Sequence, residues 1–96
     1  MNNEPTPNNF LLIDGVFSTD DARNVLMTLI NNKIQFHEQD SLSRKERFGD
    51  SHSAGSRRVD ELLQTRADLA TLIDHAQSSG ERLSISCTIE VTRVPE

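Results

Sequence analysis

A strict alternation of apolar and polar residues near the C-terminal end of the chain constrains the fold most. The apolar positions are Leu83, Ile85, Cys87, Ile89 and Val91, and the intervening ones are Ser84, Ser86, Thr88, Glu90 and Thr92. Successive side chains of a strand point to opposite faces, so this pattern predicts a strand with one buried and one solvated face. A strand of this kind needs a neighbouring strand and a layer of other elements against its apolar face.

The neighbouring strand is predicted at residues 10–17, whose sequence is FLLIDGVF. The segment is partly β-branched, and Gly15 marks the point where a bend or bulge is expected. The first nine residues have no apolar anchors, so we predict a disordered lead-in there. They also lack the apolar core of a signal peptide, and the expectation is therefore a cytoplasmic protein.

Two amphipathic helices are predicted between the strands. Ser18 followed by Asp20 and Asp21 is typical of a helix start, and Ser79 with Gly80 is typical of a helix end. The first helix is predicted at about 19–37 and the second at about 57–78. Residues 38–56 have no apolar periodicity, which predicts a long, mobile interhelical loop.

The order β-α-α-β defines an α+β protein, in which an antiparallel helical hairpin packs on a two-stranded antiparallel sheet. The apolar arc of the first helix covers about half its circumference, more than one strand pair and one helix can bury. We therefore expect oligomerisation, as a homodimer, to complete the fold. The candidate oligomer interface consists of Met27, Ile34, Leu63 and Leu72. Packing of helices and extension of the sheet both remain open as modes of dimerisation.

Several classes of function are disfavoured by composition. A single cysteine excludes an intrachain disulfide framework and a cysteine-based zinc site, and no apolar run is long enough to cross a bilayer. Cys87 is predicted on the inner face of its strand, where a thiol is a small hydrophobic group. The three histidines do not have zinc-site spacing, and no glycine-rich phosphate loop is present. We accordingly expect no enzymatic activity, no metal and no cofactor.

Basic residues are concentrated between Arg44 and Arg58, where the net charge is +3, against −8 for the remainder of the chain and −5 in total. Lys33, His37 and Arg66 lie near the centres of the predicted apolar arcs, at the end of the hairpin that carries this basic segment. The candidate contacts for an anion or a partner are Lys33, His37, Arg44, Lys45, Arg47, Phe48 and Arg66. In the alternative interpretation these long side chains reach solvent and pair with Glu38, Asp40 or Glu46, and the basic segment is a solvated connector.

From these features the chain is expected to be a small self-associating protein that binds another macromolecule as an adaptor or regulatory subunit. A second hypothesis is binding of nucleic acid or an anionic ligand through residues 44–58, although the acidic net charge argues mildly against it. No membrane association is expected.

Overall fold

A computed structural model describes residues 6–48 and 54–96, with side chains described for 6–40 and 57–96. The elements are β1 (Asn8–Phe17), α1 (Thr19–Phe48), α2 (Ala54–Ser78) and β2 (Leu83–Val91). The two strands pair antiparallel in one sheet, and the two helices pack against each other. The predicted α+β layout and element order are therefore confirmed.

The boundaries of the helices differ from the prediction. Helix α1 continues to Phe48 and α2 begins at Ala54, so the predicted loop at 38–56 is wrong for 38–48 and 54–56. Residues 49–53, the middle of the predicted loop, lie outside the described part of the chain. The reason for the longer helix is that residues 38–48 contain no glycine or proline and are rich in Glu, Gln, Lys and Arg, which favour helix without apolar periodicity.

Strand β1 begins earlier than predicted. Asn8 pairs with Val91 and Asn9 with Glu90, so the expected disordered lead-in at 1–9 is wrong for these two asparagines. Backbone groups make these ladder bonds, and an apolar anchor is therefore not required at either position. Residues 1–5 lie outside the described part of the chain.

The register of the sheet determines which side chains share a face. Phe17 lies opposite Leu83, Ile13 opposite Cys87 and Phe10 opposite Ile89. Residues directly opposite each other in an antiparallel pair point to the same face, so these six side chains form one apolar face of the ribbon. The register shifts between Leu11 and Ile13, which places the irregularity at Leu12 rather than at the predicted Gly15.

Both predicted helix boundaries next to the strands are confirmed. The Asp21 backbone N–H donates to the Ser18 hydroxyl at 3.1 Å, as an N-cap requires. Gly80 has a φ of 70°, a conformation in which a side chain is strained. The Glu81 N–H donates to the Ala76 carbonyl at 2.9 Å, which closes a Schellman C-cap.

The core lies between the helices. Its buried cluster comprises Ile30, Ile34 and Leu62, against which Met27, Val59 and Leu69 are packed. Ala22, Ile73 and Ala76 are buried closer to the strands. The apolar arcs of the helices are thus used first against each other.

The molecule is thin for its length. Its dimensions are 48 × 43 × 14 Å and its radius of gyration is 17.4 Å, against about 12–13 Å for a compact chain of this size. The ribbon formed by β1 and β2 contacts α1 at few residues. Its contacts with α2 are fewer still. The hairpin and the ribbon are therefore two arms that meet at one end and diverge.

Candidate interaction surfaces

The far half of the ribbon exposes its apolar face. The near half, at Ile13, Phe17, Leu83, Ile85 and Cys87, is half-buried. We call the exposed continuation the ribbon patch. It comprises Phe10, Leu12, Ile89 and Val91, which are 57%, 51%, 42% and 46% exposed. The helices thus cover the apolar face of the ribbon near the hairpin but not farther along the strands, because they diverge from the ribbon.

Two open apolar clefts occur where the arms meet. The cleft between β1 and α1 has a volume of about 430 Å³ and is lined by Leu12, Ile13, Val25 and Leu29, with Asn24 and Thr28. The cleft between β2 and the helices has a volume of about 250 Å³ and includes Leu26, Leu69, Leu72 and Ile85. Both clefts are apolar surfaces continuous with the covered half of the ribbon.

A second surface lies on α1 and comprises Lys33, Phe36 and His37, which we call the α1 cluster. Phe36 is 59% exposed, an unusual position for an aromatic side chain on a helix. The Lys33 Nζ lies 5.4 Å from the centroid of the Phe36 ring, in the range of a cation–π interaction. The His37 ring meets the Phe36 ring edge-on, with centroids 5.3 Å apart. Aromatic side chains are enriched at protein interfaces.

Arg66 is directed away from the α1 cluster. Its guanidinium donates to the Asn31 side-chain carbonyl at 2.7 Å, across the hairpin. Five residues separate Asn31 from Phe36, so the two side chains lie about 140° apart around α1. The guanidinium of Arg66 is therefore hydrogen-bonded on a different side of α1 from Phe36. The half-buried Arg66 thus has an amide oxygen as a hydrogen-bond partner.

His37 contributes a buried polar atom to the α1 cluster. The Nε2 atom of His37 is buried and has no hydrogen-bond partner. It is the one side-chain nitrogen or oxygen in this state among the described side chains. Leaving such an atom unpaired costs about 1–3 kcal/mol, so packing around the ring must offset that cost. His37 is half-buried, whereas Lys33, which was expected near the centre of the same apolar arc, is exposed.

The remaining candidate contacts, Arg44, Lys45, Arg47 and Phe48, lie on the last turns of α1. Their side chains lie outside the part of the chain described in atomic detail, so the hypothesis of nucleic-acid or anion binding through 44–58 stays a prediction. At the other end of that segment, Arg58 donates to Glu61 at 3.0 Å.

The candidate oligomer interface divides into two groups. Met27 packs on the core cluster and Ile34 is 5% exposed, so both are used within the single chain. Leu63 and Leu72 are exposed. The ribbon patch was not among the predicted interface residues. The alternation of β2 indicated its apolar face, but no sequence signal indicated how much of that face the helices leave uncovered.

The described residues offer neither a metal site nor a membrane-spanning helix. No group of three or more His, Cys, Asp or Glu side chains there is arranged to hold a metal ion. Neither helix, as far as it is described, contains an apolar stretch that could cross a membrane. Comparison with family models, curated proteins and solved structures found no match to the chain.

Proposed function

We propose that this protein is a small, non-enzymatic binding protein that acts as a homodimer, with an adaptor or regulatory role. The ribbon patch is the observation that carries the proposal. A strand pair is stable only when a second layer covers its apolar face, and here Phe10, Ile89 and Val91 have no such cover.

The exposed area is large enough for a stable interface. The chain exposes 7667 Å², whereas a compact monomer of 10.8 kDa exposes about 5,500 Å². An interface of standard size buries roughly 800 Å² on each partner, less than half of this difference. Completing the burial of the four patch side chains would contribute on the order of 4 kcal/mol per copy, since full burial of such a side chain is worth about 1.5–3 kcal/mol.

The charge distribution is compatible with self-association. Each copy has a net charge of −5, which by itself makes two copies repel. The ribbon patch contains no charged residue, and the neighbouring Glu90 points to the opposite face of β2 because strand side chains alternate. Contact through the patch therefore brings no like charges into opposition.

The α1 cluster remains available to another partner when the ribbon patch is covered. Phe36 provides a large apolar ring, and Lys33 provides a cation that already lies over it. Aromatic anchors of this type dominate binding energy at many protein interfaces. This surface is the one to which we assign the adaptor role.

The proposal is tested with matched charge substitutions on the two faces of β1. Phe10→Asp places a carboxylate in the ribbon patch, and Leu11→Asp places the same group on the opposite face one residue away. We expect the wild type and Leu11→Asp to have about twice the chain mass of 10.8 kDa by light scattering, and Phe10→Asp to have half that value. Circular dichroism verifies that both variants keep their helices. Equal masses for the two variants would contradict the proposal.

A further inference from the structure

Strand β2 offers a pairing edge, and we infer that the second copy binds there. This inference rests on the proposed self-association and specifies its geometry. Within the described residues of the single chain, the outer edge of β2 is unpaired, as is that of β1. Pairing of β2 with the partner's β2 would give a four-stranded antiparallel sheet in which the two β2 strands are central and each β1 strand is at an edge.

The edge of β2 is better suited to pairing than that of β1. The register of β1 is interrupted at Leu12, and β1 also contains Asp14 and Gly15. Bulges twist an edge and interrupt its hydrogen-bonding groups, which is a common way of blocking edge-to-edge association. Leu83–Val91 contains no glycine or proline and pairs with β1 without interruption on its own side.

Two-fold symmetry combined with full overlap of the strands defines one register. An antiparallel pair that overlaps along the whole of Leu83–Val91 is centred on Cys87. Leu83 lies opposite the partner's Val91, and Ile85 lies opposite the partner's Ile89. The solvated faces coincide as well, with Ser86 opposite the partner's Thr88. A shift by one residue would place apolar side chains against polar ones, and a shift by two would shorten the overlap of the strands, so alternation and full overlap together favour this register.

This register accounts for the uncovered half of the ribbon. A two-fold axis perpendicular to the sheet leaves the apolar faces of both copies on the same side. The covered half of each β2 then lies beside the exposed half of the partner's β2. Each helical hairpin is thereby brought beneath the other copy's ribbon patch, where Ile89 and Val91 need a second layer. Pairing of the two β2 strands would therefore also bury the ribbon patch of each copy.

The position of Cys87 provides the test. In the inferred register the two Cys87 side chains face each other across the symmetry axis. Directly opposite residues of an antiparallel pair have Cα atoms about 4.5–5.5 Å apart, within the range that a disulfide spans. The full-length protein is oxidised under native conditions with copper–phenanthroline, which removes two electrons and two protons from the two thiols. We expect a covalent dimer on a non-reducing gel.

The matched control moves the thiol by one residue. In the Cys87→Ser/Thr88→Cys variant the single thiol lies opposite the partner's Ser86. The thiols of the two copies are then offset by two residues along the strands, so we expect no cross-link. Cys87→Ser/Ile85→Cys/Ile89→Cys restores opposed thiols and should cross-link again. Dimer mass without selective cross-linking at 87 would overturn the inference and leave the proposed function intact. A monomeric mass for the wild type would overturn both.

Discussion

Ser18 illustrates how a single side chain determines where an element begins. Its hydroxyl accepts the Asp21 N–H at 3.1 Å, one of the backbone donors left unpaired at the start of α1. We expect Ser18→Ala to lower the free energy of unfolding by about 1 kcal/mol, as measured by urea denaturation. Ser18→Asp retains an acceptor for the same N–H and should stay close to the wild type. An unchanged stability in Ser18→Ala would show that this cap is not formed.

Other single residues show where sequence reasoning stops. The cap at Ser18 and the left-handed Gly80 could be predicted, because both depend on local backbone geometry. The partner of Arg66 could not, since Asn31 is 35 residues away and becomes a neighbour only once the hairpin has formed. A carboxylate partner was expected because charge pairing is the simplest way to stabilise a half-buried cation. In the structure the amide oxygen of Asn31 accepts a hydrogen bond from this cation.

Among the elements, the strand β2 was predicted most closely and α1 least. The period-two alternation of Leu83–Val91 gives a direct signal of a half-buried strand. The last eleven residues of α1 give no periodic apolar signal. Intrinsic propensity sustains the helix there, and a reading based on apolar periodicity overlooks it.

The length of α1 can be tested with a proline. Gln39 is exposed, and it lies within α1 but inside the segment that the sequence predicted as loop. In a helix, Gln39→Pro removes a backbone hydrogen bond and clashes with the preceding turn, so we expect a loss of about 3 kcal/mol in unfolding free energy. Gln39→Ala serves as the control and should have little effect. A loss below about 0.5 kcal/mol for the proline variant would contradict a helix at this position.

For the molecule as a whole, the divergence of ribbon and hairpin is the feature with the greatest consequence. The sequence predicted surplus apolar surface and placed it on the helices. The structure leaves apolar surface on both arms: Leu63 and Leu72 are exposed on α2 and the ribbon patch is exposed as well, whereas Met27 and Ile34 are used within the hairpin. The angle between the ribbon and the hairpin determines which apolar side chains are covered. Long-range packing sets this angle, and the apolar periodicity of the sequence does not encode it.

The claim that this chain forms a homodimer is tested most directly by sedimentation equilibrium of the unmodified protein at micromolar concentrations. We predict a single species with about twice the chain mass of 10.8 kDa, because two copies together cover the ribbon patch. A folded monomer of 10.8 kDa at every concentration would contradict the account.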